Sequence, residues 1–122
     1  MATVLIALVA VFFLGMGLLG LVAPAVLIKP FGIALTVPDA RNEVRAVYGG
    51  FGVAVAALLG CAAADVAGLR PGAVLAIAVA LAGMALGRLI SRAFDRPSAF
   101  YPTWFYFWVE LLAATLLLYA TL

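Results

Sequence analysis

Histidine is absent from this chain, cysteine occurs once, at Cys61, and charged side chains make up only 10% of the 122 residues. Each scarcity excludes a class of chemistry. Without histidine there is no His-ligated zinc, no bis-His haem, and no Ser-His-Asp or Cys-His catalytic arrangement. A single cysteine makes neither an intrachain disulfide nor a cysteine-cluster metal site. Seven Lys and Arg against five Asp and Glu leave a net charge of +2. That is too little, and too scattered, to neutralise a phosphate backbone, so nucleic acid is not an expected partner. Haem, metal and flavin sites all lack their usual ligands or motifs, and no cofactor is expected.

What the chain has in abundance is apolar surface. Hydrophobic residues are 69% of it and the mean hydropathy is +1.31, whereas soluble domains carry about 45–50% apolar and about 25% charged residues. A water-soluble globule is thereby excluded. A bilayer core of about 30 Å needs about 20 helical residues at about 1.5 Å each. The sequence supplies four such runs, at about residues 2–28, 43–64, 72–93 and 102–121. The predicted fold is a single all-α domain, an integral membrane antiparallel four-helix bundle.

Punctuation supports these bounds. Pro24 falls late in the first run, where it kinks or ends a helix. Asp39 or Asn42 is a candidate cap for the second span. Pro102 suits the first turn of the fourth. Val22-Ala23-Pro24-Ala25 loosely resembles a signal cleavage site, but no Lys or Arg precedes the apolar run and the run is too long for a signal core. The first loop region holds Lys29, Arg41 and Arg45 and the third holds Arg88, Arg92 and Arg96, while the second has Arg70 alone. Retention of positive charge inside predicts loops one and three to be cytoplasmic.

Small residues allow helices to approach closely in lipid, where tails are as apolar as leucine. Gly52, Ala56, Gly60 and Ala64 form such a stripe in span two, Gly83 and Gly87 a GxxxG in span three with Ala76 and Ala80 nearby, and Gly15, Gly17 and Gly20 thin span one. Packing within the bundle is the first reading of these stripes and a homodimer seam the second. Tyr101 and the run Trp104 to Trp108 read as an interfacial belt, or as an aromatic ligand mouth.

Ionisable side chains inside a span are costly and are candidate functional groups. Alternating span directions bring Glu43, Arg45 and Tyr48, then Arg88, Ser91, Arg92 and Asp95, then Thr103, Tyr106 and Glu110 to one membrane side. Glu110 lies roughly 12 Å and Arg88 roughly 7–8 Å below that end, and the two are predicted to pair. Arg88, Ser91, Arg92 and Asp95 share one helical face by their spacing. With Arg45 included, the deep set Arg45, Arg88 and Glu110 is net positive, a site for an anionic headgroup. A structural staple is the competing reading, weakened because buried ion pairs are poor stabilisers in low dielectric.

The segments Glu43-Val44-Arg45-Ala46-Val47-Tyr48-Gly49-Gly50 and Gly87-Arg88-Leu89-Ile90-Ser91 with Asp95-Arg96-Pro97, followed by an intramembrane Glu, resemble the domain-of-unknown-function family numbered 4345. Its members are small bacterial four-span proteins, similar in architecture to the DoxX-like membrane proteins. Arg96 stands where the family often has glycine. The resemblance implies a four-helix membrane bundle and marks Glu43, Arg45, Tyr48, Arg88, Ser91, Asp95 and Glu110 as motif positions, without supplying an activity. The expected role is binding of a membrane lipid or another hydrophobic ligand, such as an isoprenoid or quinone-like molecule. The alternative is an accessory subunit, docked to a membrane complex or to a second copy. Acid-base catalysis by Glu110 ranks below both, because only Tyr48 and Tyr106 are deep enough to assist it.

Overall fold

The computed structural model describes residues 1–97 and 99–122. Among these no strand occurs, and four helical stretches are long and apolar enough to cross a bilayer: Ala2–Val22, Pro38–Ala63, Arg70–Phe94 and Thr103–Ala120. The fold is the all-α bundle of a multi-pass membrane protein.

Helix α1 (Ala2–Val22) stops two residues before Pro24. Proline lacks an amide hydrogen and crowds the preceding turn, so Ala23 leaves helical geometry at φ −137°, and a five-residue helix, α2 (Pro24–Ile28), begins. The first span is therefore two helices rather than one run to Ile28. A 3-10 turn, Lys29–Phe31, follows and ends on Gly32 at φ +74°, a value that glycine adopts without steric cost.

The second span starts earlier than expected, at Pro38. It is continuous through α3 (Pro38–Val44), a π-helical turn (Arg45–Gly50) and α4 (Phe51–Ala63). Neither Asp39 nor Asn42 caps it. Pro38 takes a first-turn position, the cap falls on Val37, and no side-chain cap bond forms. Asp39 instead sits in the first turn, where its charge complements the helix dipole. Helix α5 (Arg70–Phe94) carries Pro71 in its first turn, and α6 (Thr103–Ala120) has Pro102 as its N-cap.

The spans pack as a ring: α1 on α4, α4 on α5, α5 on α6 and α6 back on α1. The closest approach is between α1 and the second span. A Cβ on Gly17 would lie 2.5 Å from the Val53 amide nitrogen, and one on Gly52 would lie 2.8 Å from the Gly17 Cα. Gly20 and Gly49 meet in the same way. Only hydrogen fits there, so these glycines set the interhelical distance. Gly15, Gly60, Gly83 and Gly87 face open space instead. In α5 the reason is geometric. Its buried face is Val74, Ile77, Ala78, Leu81 and Ala85, and at about 100° per residue the GxxxG pair falls on the opposite side.

The core occupies one half of the bundle, around Ile6, Val9, Leu59, Ala62, Val74, Ala78 and Leu117. That end is sealed by Arg70. Its guanidinium donates to the carbonyls of Ala62 (3.0 Å) and Ala63 and to the Thr3 hydroxyl (3.0 Å), while its amide donates to the Asp65 carboxylate at 3.2 Å. A cation therefore covers the last carbonyls of α4, which have no partner within the helix. Residues from the start of α1, the end of α4 and the start of α5 meet here, so successive spans alternate in direction.

Candidate functional site

At the opposite end, α5 and α6 each bring an ionisable residue to the inner side of the bundle. Arg88 continues the Leu81, Ala85 face of α5, and Glu110 stands between Phe107 and Ala113 on the buried stripe of α6. The helices are antiparallel neighbours, so the two residues meet. The Arg88 Nε donates to Glu110 Oε2 at 2.9 Å and to Oε1 at 3.1 Å, and Nη2 donates to Oε1 at 2.7 Å. This is the pairing expected from depth. Among the described residues it is the one salt bridge, and Glu110 is the one buried charged side chain, at 4% exposure. The fork-shaped contact is the strong form of such a pair.

Aromatic rings close around the guanidinium. Phe31 and Tyr106 each place a ring centroid 5.8 Å from Arg88 Cζ, and their rings lie 5.4 Å apart. Distances of that order give cation–π attraction. Phe31 arrives from the connection after α2, carried there by the break at Ala23 and the 3-10 turn. It has no place in a helical pattern, and nothing in its sequence neighbourhood marks it. The aromatic run at the start of α6 divides by helical phase: Tyr106 faces Arg88, Phe107 is buried, and Phe105 and Trp108 are exposed.

The ion pair borders a cleft of about 570 Å³. Its walls are Phe12, Phe13, Met16 and Leu19 of α1, Leu27 and Ile28 of α2, Val47, Tyr48 and Phe51 of the second span, and Leu81 and Met84 of α5. Val47 and Tyr48 lie on the π-helical turn. Glycine contact holds this turn against α1, where Gly49 lies against the Leu21 backbone and side chain. Short π-helical segments often occur at functional sites, and this one coincides with the Glu43-to-Gly50 motif.

Four expected site residues border the cleft: Tyr48, Arg88, Tyr106 and Glu110. The others lie outside it. Arg45 donates its Nε to the Leu21 carbonyl at 3.1 Å, covering the end of α1 much as Arg70 covers the end of α4. Ser91, Arg92 and Asp95 are exposed, one to two turns past Arg88 toward the end of α5, and Glu43 is exposed on α3. With Arg45 elsewhere, the expected net positive set reduces to a neutral pair. Among the described residues no group of three or more His, Cys, Asp or Glu is placed to hold a metal ion.

A family model described as Domain of unknown function (DUF4345) matches residues 1–121. No curated protein and no solved structure matches the chain.

Proposed function

For this chain, which belongs to the DUF4345 family, we propose binding of an amphipathic molecule, a lipid, isoprenoid or quinone-like compound, in the cleft beside Arg88 and Glu110. The polar end lies at the ion pair, and the apolar part runs along the walls of α1 and α5. The observation that carries this reading is a cleft of about 570 Å³ bordered by a buried ion pair in an apolar bundle. Small-molecule sites span about 300–1,000 Å³, with apolar walls and a few convergent polar groups. A pair kept only for stability is a poor use of buried charge. Binding ranks ahead of catalysis because both Glu110 oxygens are engaged by Arg88.

Mass spectrometry of protein purified in mild detergent tests the proposal. A stoichiometric amphiphile in the wild type, lost in Met84→Trp, which fills the cleft, is the expected outcome. Identical lipid content in the two proteins overturns it.

One observation favours a second reading, an accessory subunit or homodimer. Gly83 and Gly87, with nothing packed on them, offer a GxxxG seam to another membrane helix. Cross-linking in membranes that is abolished by Gly83→Ile supports this reading, and a solitary monomer of 12.6 kDa removes it. The proposal also includes a bacterial inner membrane, from the family resemblance, with the cleft end toward the cytoplasm, from the distribution of Lys and Arg. Protease cleavage of a C-terminal tag from the cytoplasmic side reverses that orientation.

A further inference from the structure

Resting on the binding reading above, the inner wall of the cleft also says which chemistry its ligand carries. Glu110 borders the cleft but offers it little, being 5% exposed at the side chain with both oxygens engaged by Arg88. Arg88 is not, with 23% of its side chain exposed. It spends Nε–H and one Nη2 hydrogen on Glu110, and a guanidinium carries five N–H donors and no acceptor. No buried side-chain nitrogen or oxygen among the described residues lacks a partner, so the Nη1 group, which no acceptor among the described residues engages, reaches accessible space. Arg88 borders the cleft. A molecule there meets spare donors whose positive charge is already balanced by the carboxylate behind them.

We infer that the cleft selects an uncharged amphiphile whose head accepts a hydrogen bond from Arg88, an ester, ketone or quinone carbonyl, and discriminates against an anionic head. An anion gains little from a neutral pair and has to give up its hydration to enter. A neutral carbonyl satisfies the spare donors at small desolvation cost. Tyr48, which also borders the cleft, carries a second group able to donate. Phe31 and Tyr106, packed on Arg88, cover the guanidinium with apolar surface rather than with further positive charge.

The test uses the full chain, delipidated and held in dodecyl maltoside, which carries no carbonyl, with methyl heptadecanoate and hexadecanesulfonate added at equal concentration and occupancy read by native mass spectrometry. The two probes share an alkyl chain, and one head is a neutral carbonyl acceptor while the other is a permanent anion. Wild type is expected to favour the ester by about tenfold or more. Glu110→Gln, which leaves Arg88 unbalanced, is expected to reverse the order. Preference of the wild type for the sulfonate overturns the neutral-head inference while leaving amphiphile binding intact, as does an unchanged order in a folded Glu110→Gln. Binding of neither probe by the wild type overturns both readings. The wild-type comparison decides the matter even where the variant does not fold.

Discussion

The two ends of the bundle each use an arginine, to opposite effect. Arg70 is satisfied by main-chain carbonyls and a hydroxyl, next to the tightly packed Ile6, Leu59, Val74 and Leu117. Arg88 is held by a buried carboxylate beside open space. A helix end supplies orphan carbonyls wherever it occurs, so a cation that covers them needs no special surroundings and closes the structure. A carboxylate about two turns inside the apolar layer is costly by itself. Its presence next to a cleft, rather than in the packed half, separates a site from a clasp.

Substitutions at the two ends sharpen or break this contrast. The largest effect is expected for Arg88→Ala, which leaves Glu110 buried without a partner and costs about 3–5 kcal/mol, read as loss of unfolding free energy in detergent. Leu59→Ala comes next. Its side chain is fully buried in the packed half, and leucine truncation there costs about 2–5 kcal/mol according to how far the site collapses. Arg70→Ala loses several hydrogen bonds from a charged donor whose acceptors can recruit interfacial water, and is expected to cost about 1.5–3 kcal/mol. A larger loss for Arg70→Ala than for Arg88→Ala would dissolve the distinction between clasp and site. The smallest change is expected for Met84→Ala on the cleft wall, where the side chain is 48% exposed. Its stability should stay within about 0.5 kcal/mol of wild type, and a loss as large as that of Leu59→Ala would mean that the cleft is packed shut in the membrane.

Much of this arrangement was legible before the structure. The four spans follow from apolar runs of bilayer length, and the pairing of Arg88 with Glu110 follows from depth and alternating direction. The break near Pro24 follows from the missing amide hydrogen. Arg45 was not legible. Its position in the second span puts it near the same membrane side, but the local choice between a carboxylate and the nearby Leu21 carbonyl depends on side-chain reach, which spacing does not encode. The glycine stripes divided for a similar reason. Gly17 and Gly52 lie where two backbones touch, and Gly83 and Gly87 point the other way. The motif is the same in each case, and only the identity of the neighbouring helix tells them apart.

Composition and hydropathy by themselves determined that this is a membrane bundle, because a chain this apolar with four bilayer-length runs has no other way to satisfy its backbone polar groups. They also determined which charges lie too deep to be solvated. Tertiary structure decided where the space is. The cleft exists because the glycine contact draws the second span onto α1 while α5 and α6 hold Arg88 and Glu110 across from it, and Phe31 reaches the guanidinium from a connecting segment. Those distances are set jointly by residues far apart along the chain, and no local pattern carries them.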